Sequence, residues 1–136
     1  MSRRWSDTNG EALAGVTTVA AYVGIRNWQG VETDRDRFQN NAQEVFELGL
    51  RRDGVIVNEG APNYLFCNIW AAQTGGTVTF AFQVMYFTCQ TIGVHILEWS
   101  DGGIVTVGSD NFTPEGMVGS CVDYFANEWL KWNPGR

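Results

Sequence analysis

Two strand-like runs, Tyr64 to Ala72 and Thr77 to Gln90, are separated only by Gln73-Thr74-Gly75-Gly76, and both carry large apolar residues on each of their faces. A glycine pair between runs of β-branched and aromatic residues is a hairpin signal suited to a primed turn. Centring the turn on Gly75-Gly76 sets Leu65 opposite Tyr86, Cys67 opposite Val84 and Ile69 opposite Phe82, which makes a core face. The reverse face then holds Tyr64 opposite Phe87, Phe66 opposite Met85, Asn68 opposite Gln83 and Trp70 opposite Ala81. A slip of one residue would set Cys67 against Gln83 and mix the two faces, so the alternation itself selects the register. An antiparallel sheet with one wet face alternates apolar and polar residues; this one is greasy on both.

The rest of the chain supplies few lids. Val16 to Ile25 alternates Val19, Ala21, Val23 and Ile25 against Ala20 and Tyr22, which predicts a strand. A helix is expected from Thr33, with Asp36 three positions on in a variant of the capping box, as far as Gly54. Phe38, Ala42, Val45, Phe46, Gly49 and Leu50 share one arc of its wheel. Arg51 and Arg52 sit in the last turn, where cations favour the negative helix end, and Gly54 supplies a left-handed stop. Val55 to Val57 reads as a short strand and Asn58 to Asn63 as a turn. Val94 to Trp99 and Ile104 to Val107, divided by Ser100-Asp101-Gly102-Gly103, predict a second hairpin. Thr113-Pro114 predicts an N-cap and a first helical position. From there Val118, Val122, Phe125, Trp129 and Trp132 recur at helical spacing, until Asn133-Pro134-Gly135 ends the run.

The predicted fold class is therefore α+β: a two-layer sandwich in which a mixed, largely antiparallel sheet of four to five strands carries two amphipathic helices on one face. Residues 1–14 read as a polar leader open to disorder. Residues 15–136 read as a single α/β domain, a length that supports one core.

Two helices, each covering about 10 Å of sheet width, fit side by side on strands ~4.8 Å apart. The other face then has no cover within the chain. Leaving Tyr64, Phe66, Trp70, Met85 and Phe87 in water would exceed the apolar patch that soluble monomers usually tolerate. Self-association into a homodimer is the economical solution, because a sheet face can be self-complementary about a two-fold axis. The expected interface is Tyr64, Phe66, Asn68, Trp70, Gln83, Met85 and Phe87, with the Asn68 and Gln83 pair fixing register. Two readings compete with it: helices split between the two faces, and a small apolar or aromatic ligand bound on the same residues. With 6 Trp, 8 Phe and 4 Tyr, the chain holds more rings than a small core needs, and some are expected to face a partner.

Several functional classes lack their parts. A net charge of −6 repels phosphate backbones, and Arg3-Arg4 is too short for a nucleic-acid arm, so no nucleic-acid partner is expected. No apolar run reaches the length of a membrane-spanning helix. Met1 to Gly10 carries charges without an apolar stretch, which leads to the expectation of a cytoplasmic chain; the envelope or periplasm is the expectation if a leader has been removed. With His95 as the sole histidine and no CxxC, neither a metal site nor a histidine relay is expected. The glycine pairs sit in hairpins rather than between a strand and a helix, so no phosphate loop or other cofactor site is expected. Gly119-Ser120-Cys121 falls inside a helix, and Cys121 is read as core. Glu59 and Glu98 are the one carboxylate pair retained as catalytic candidates, beside a non-enzymatic reading. Cys67 and Cys89 fall ~17 Å apart along the hairpin, too far to bridge, and buried free thiols are the expectation for the cysteines.

The order of elements, together with Leu50-Arg51-Arg52-Asp53-Gly54-Val55, Tyr64-Leu65, Trp99 and the ending Asp123-Tyr124-Phe125-Ala126-Asn127-Glu128-Trp129-Leu130 to Asn133-Pro134, resembles a group of small uncharacterised bacterial proteins over about Val16 to Pro134. More loosely it is similar to the β-α-β-β-β-α domains of the TolB amino-terminal and curli-secretion type. That resemblance implies a part in envelope assemblies and brings no catalytic residue with it.

Overall fold

The computed structural model describes residues 10–91 and 93–135; Arg3, Arg4 and the first part of the leader lie outside the described residues. After a 3-10 turn at Gly10–Leu13, the elements are β1 (Thr18–Gln29), α1 (Arg35–Arg52), β2 (Ile56–Val57), β3 (Tyr64–Thr74), β4 (Thr77–Thr91), β5 (Val94–Gly108) and α2 (Pro114–Trp132), with a second 3-10 turn at Ser109–Asn111 before the last helix. Leu13 is fully buried, so the packed unit takes in the end of the segment read as leader.

The five strands stand in the order β2-β1-β3-β4-β5. The first strand runs parallel to both β2 and β3, while β3, β4 and β5 form an antiparallel meander. The β3–β4 register is the one that alternation selects, with Leu65 opposite Tyr86 and Phe66 opposite Met85, and Gly75 takes the positive φ of the turn at +59°.

Both helices pack on the core face, giving the expected α+β sandwich. From α2, the Tyr124 ring meets Phe82 edge-on at 5.0 Å and Phe125 meets Trp99 at 6.1 Å. On α1, Phe38 stacks on Phe112 at 4.9 Å and tilts against Trp28 at 5.0 Å. Thr113 caps α2 as its sequence predicts, accepting from the Gly116 amide. The α1 cap is shifted by one residue from Thr33 to Asp34, whose carboxylate accepts from the Arg37 amide; a carboxylate at that position also meets the positive helix end. Gly54, at φ +99°, provides the left-handed stop.

Beyond Val19 the outer edge of β1 has no strand neighbour among the described residues, and α1 supplies one in side chains. Residues 35, 39 and 43 lie one turn apart on one helix face. Arg35 Nη2 donates to the Ile25 carbonyl (2.6 Å) and Gln39 Nε2 to the Val23 carbonyl (3.2 Å). Gln43 makes a pair of bonds, donating to the Ala21 carbonyl (2.7 Å) and accepting from the Val23 amide (2.8 Å). An open edge invites pairing with another chain, and this ladder closes it. Gln43→Ala strips both groups of their partner and is expected to cost about 1–2 kcal/mol in urea denaturation; no change in midpoint would mean water replaces the amide.

Two sequence expectations are corrected. Ser100 to Gly103 is not a turn: β5 runs unbroken, with Gly102 opposite Gln83 and Gly103 opposite Phe82, and the chain reverses just before β5, where Gly93 has φ +82°. Pairing along all of β4 overrides the local turn chemistry. The cysteines are also not all free thiols. Cys67 and Cys121 form a disulfide with Cα atoms 6.0 Å apart, because the core-facing side of β3 places Cys67 under the α2 face that carries Cys121. Cys89 is free, and the exclusion of a Cys67–Cys89 bridge holds.

Candidate functional site

With both helices on the core side, the reverse face of the sheet has no helix over it among the described residues. The four longer strands contribute to it by alternation. The parallel register with β3 places Ala20, Tyr22 and Gly24 beside Tyr64, Phe66 and Asn68, and the β4–β5 register adds Leu97 beside Phe87 and Ile104 beside Ala81. All seven residues expected on this face stand there together, in the expected pairs.

The rings form a connected sheet of their own. Tyr64 stacks on Phe87 at 5.0 Å and meets His95 edge-on at 5.5 Å. Tyr22 lies 5.9 Å from Tyr64 and 6.0 Å from Phe66. Tyr64, Phe66, Trp70 and Met85 are half-buried, while Tyr22 is 40% and Leu97 47% exposed. Partial burial of Tyr64 pushes its phenol above the ordinary value, with the Cys89 thiol and the Tyr22 phenol adding to the rise.

A polar element sits in the middle. Arg26 donates from Nε to Asn68 Oδ1 at 2.8 Å, and its guanidinium lies 5.2 Å from the centre of the Phe66 ring. Asn68 is buried and its oxygen is occupied by Arg26, while Gln83 stands opposite it in the register. The arrangement depends on Gly24, because a Cβ there would stand 2.7 Å from Phe66 Cε1. Beside Trp70 the small residues Ala72 and Ala81, with Ile104, line a depression of about 220 Å³, below the roughly 300–1,000 Å³ of ligand pockets. A larger groove of about 490 Å³ lies between α1 and α2, lined in part by Val45, Leu48 and Val122, on the opposite side of the molecule.

Sequence reasoning missed Arg26, Leu97 and Ile104 on this face, and Tyr22 as a partner of Phe66. The period-2 pattern that assigns Ala20 and Tyr22 to one side of β1, carried on through Gly24, reaches Arg26. The pairing of β1 with β3 is set by a crossover through α1 and leaves no local mark. The catalytic candidates do not meet: Glu59 follows β2 and Glu98 lies in β5, at opposite edges of the sheet, and Glu98 Oε1 accepts from Thr88. Among the described residues no group of His, Cys, Asp and Glu could hold a metal ion, and no helix is long and apolar enough to cross a membrane.

No family model and no curated protein matches the chain. Its structure is similar to that of PelC from Paraburkholderia phytofirmans, a dodecamer, with a TM-score of 0.59 over 95% of this chain and 96% of that one, at 16% identity. The two share a fold. A point variant of the same PelC dodecamer gives the same TM-score at 17% identity, and an uncharacterized protein is matched at a TM-score of 0.45 and 12% identity. These likenesses lend no specific support to the TolB amino-terminal or curli-secretion type.

Proposed function

We propose that the chain is a non-enzymatic assembly module that associates with copies of itself through the reverse face of its sheet. The observation that carries this reading is the layer of rings from Tyr22 to Phe87, which no helix shields among the described residues. Burying such a layer is worth about 25 cal/mol per Å² of apolar surface, set against the cost of associating two chains, and stable interfaces bury about 800 Å² on each partner. That PelC, with a similar fold, occurs as a dodecamer supports self-assembly. A dimer is the smallest assembly that covers the face, and a ring is the larger one. Glu59 and Glu98 stand apart and His95 is engaged with Tyr64, which favours binding over chemistry.

The Cys67–Cys121 disulfide favours an oxidising compartment such as the envelope over the cytoplasm, since buried disulfides persist where thiols are not kept reduced. Light scattering tests the assembly. The wild-type chain is expected to have a mass of two or more copies at micromolar concentration, and Phe66→Asp with Trp70→Asp is expected to bring it down to one. A wild-type monomer, or a mass unchanged by the two substitutions, would contradict the reading.

A further inference from the structure

Resting on the self-association reading, we propose that what seats on the aromatic face is the β4–β5 arm of a second copy. Tyr64, the first residue of β3, stands opposite Phe87, so beyond Phe87 and Leu97 the last two strands run on as a two-stranded ribbon. Such a ribbon is marginal by itself. This one holds Val94 and Ile96 in water, 48% and 40% exposed, next to Leu97. The register shifts at its base, where Tyr86 pairs with Trp99 but Phe87 with Leu97, leaving Glu98 as the extra residue of a bulge. Bulges re-aim a side chain. Here Glu98 turns to the side of Thr88, whose hydroxyl donates to it at 2.9 Å. Ile96, opposite Thr88, points the same way, so the arm presents a carboxylate and an aliphatic group two residues, or roughly 7 Å, apart.

The aromatic face offers the complement of both at the same spacing. Arg26 is held on Asn68, and two residues further along β3 stands Trp70 beside the depression of about 220 Å³, room for one aliphatic side chain. Among the described residues neither Arg26 nor Glu98 has an ion-pair partner within its own chain. In the complex Glu98 of the arm pairs with Arg26 of the face, and Ile96 fills the depression. Once the pair is out of water, changing one partner leaves the other charge buried and unpaired, which costs more than breaking an exposed pair. Arm and face are different surfaces, so each copy gives one arm and receives one, a head-to-tail contact that closes into a ring or runs on as a filament according to the rotation between copies.

Charge reversal tests this by light scattering across a dilution series. Glu98→Arg and Arg26→Glu are each expected to raise the concentration at which the assembly forms at least tenfold. Combining them in one chain, or mixing the two single variants, is expected to restore it. Unchanged masses for the single variants, or a loss that neither combination repairs, would overturn the arm. Should either variant fail to fold, Ile96→Asp replaces it, and the same loss of mass is expected with an unchanged circular dichroism spectrum; a retained mass would equally overturn the arm. If the Phe66→Asp and Trp70→Asp chain disperses while the arm variants do not, the arm is wrong and the face reading stands. If neither set disperses the assembly, both are wrong.

Discussion

Replacing Cys67 and Cys121 together by alanine is expected to lower the stability of the chain by about 4 kcal/mol, the chain-entropy value for a closed loop of this length. The bridge spans 54 residues and ties the middle of β3 to α2, two elements otherwise joined only by packing. Without it the unfolded chain regains that loop's freedom, and two fully buried positions lose part of their volume. Urea denaturation of the wild type and the double variant measures the difference. Thiol counting supplies the check on cause: one reactive thiol, Cys89, is expected in the unfolded oxidised protein, and three after reduction. Three thiols before reduction, or a loss below about 1 kcal/mol, would remove the bridge from the account and the oxidising compartment with it.

Trp129→Ala is expected to cost about 3–5 kcal/mol. This ring is fully buried, stacks on Phe125 at 6.5 Å and donates from Nε1 to the Val16 carbonyl at 2.8 Å. One residue type therefore fills the end of the core and holds the segment entering β1. Asn133 works beside it, donating to the Leu13 and Trp129 carbonyls and accepting from the Gly15 amide. Trp129→Phe keeps most of the bulk and loses the hydrogen bond, so about 1–2 kcal/mol is expected there. Denaturation midpoints of the two variants separate the contributions; equal losses would mean that volume counts for nothing at this site.

The parts of this fold that could be read in the sequence are those fixed by local periodicity. The β3–β4 pairing follows from one glycine pair and the alternation of Leu65, Cys67 and Ile69 against Tyr64, Phe66 and Trp70. The start of α2 follows from Thr113-Pro114. Where local chemistry and tertiary pairing disagree, pairing wins: residues 100–103 look like a turn but are held straight by the strand opposite, Gln83 facing Gly102 and Phe82 facing Gly103. The disulfide was invisible because it joins two layers, and only the relative depth of β3 and α2 brings Cys67 and Cys121 together. The seven face residues were legible because they share one hairpin. Tyr22 and Arg26 were not joined to them, since a parallel neighbour is set by a crossover through α1 rather than by a turn.

Hydroxyl-radical footprinting across a dilution series measures burial of the aromatic face directly. Met85 and Trp70, half-buried in the single chain, are expected to be shielded at concentrations where light scattering reports assembly and to become reactive as it dissociates. Leu48, which is 62% exposed on α1, should react alike throughout. Equal reactivity of Met85 and Trp70 in the assembled and dissociated states would mean that copies meet elsewhere.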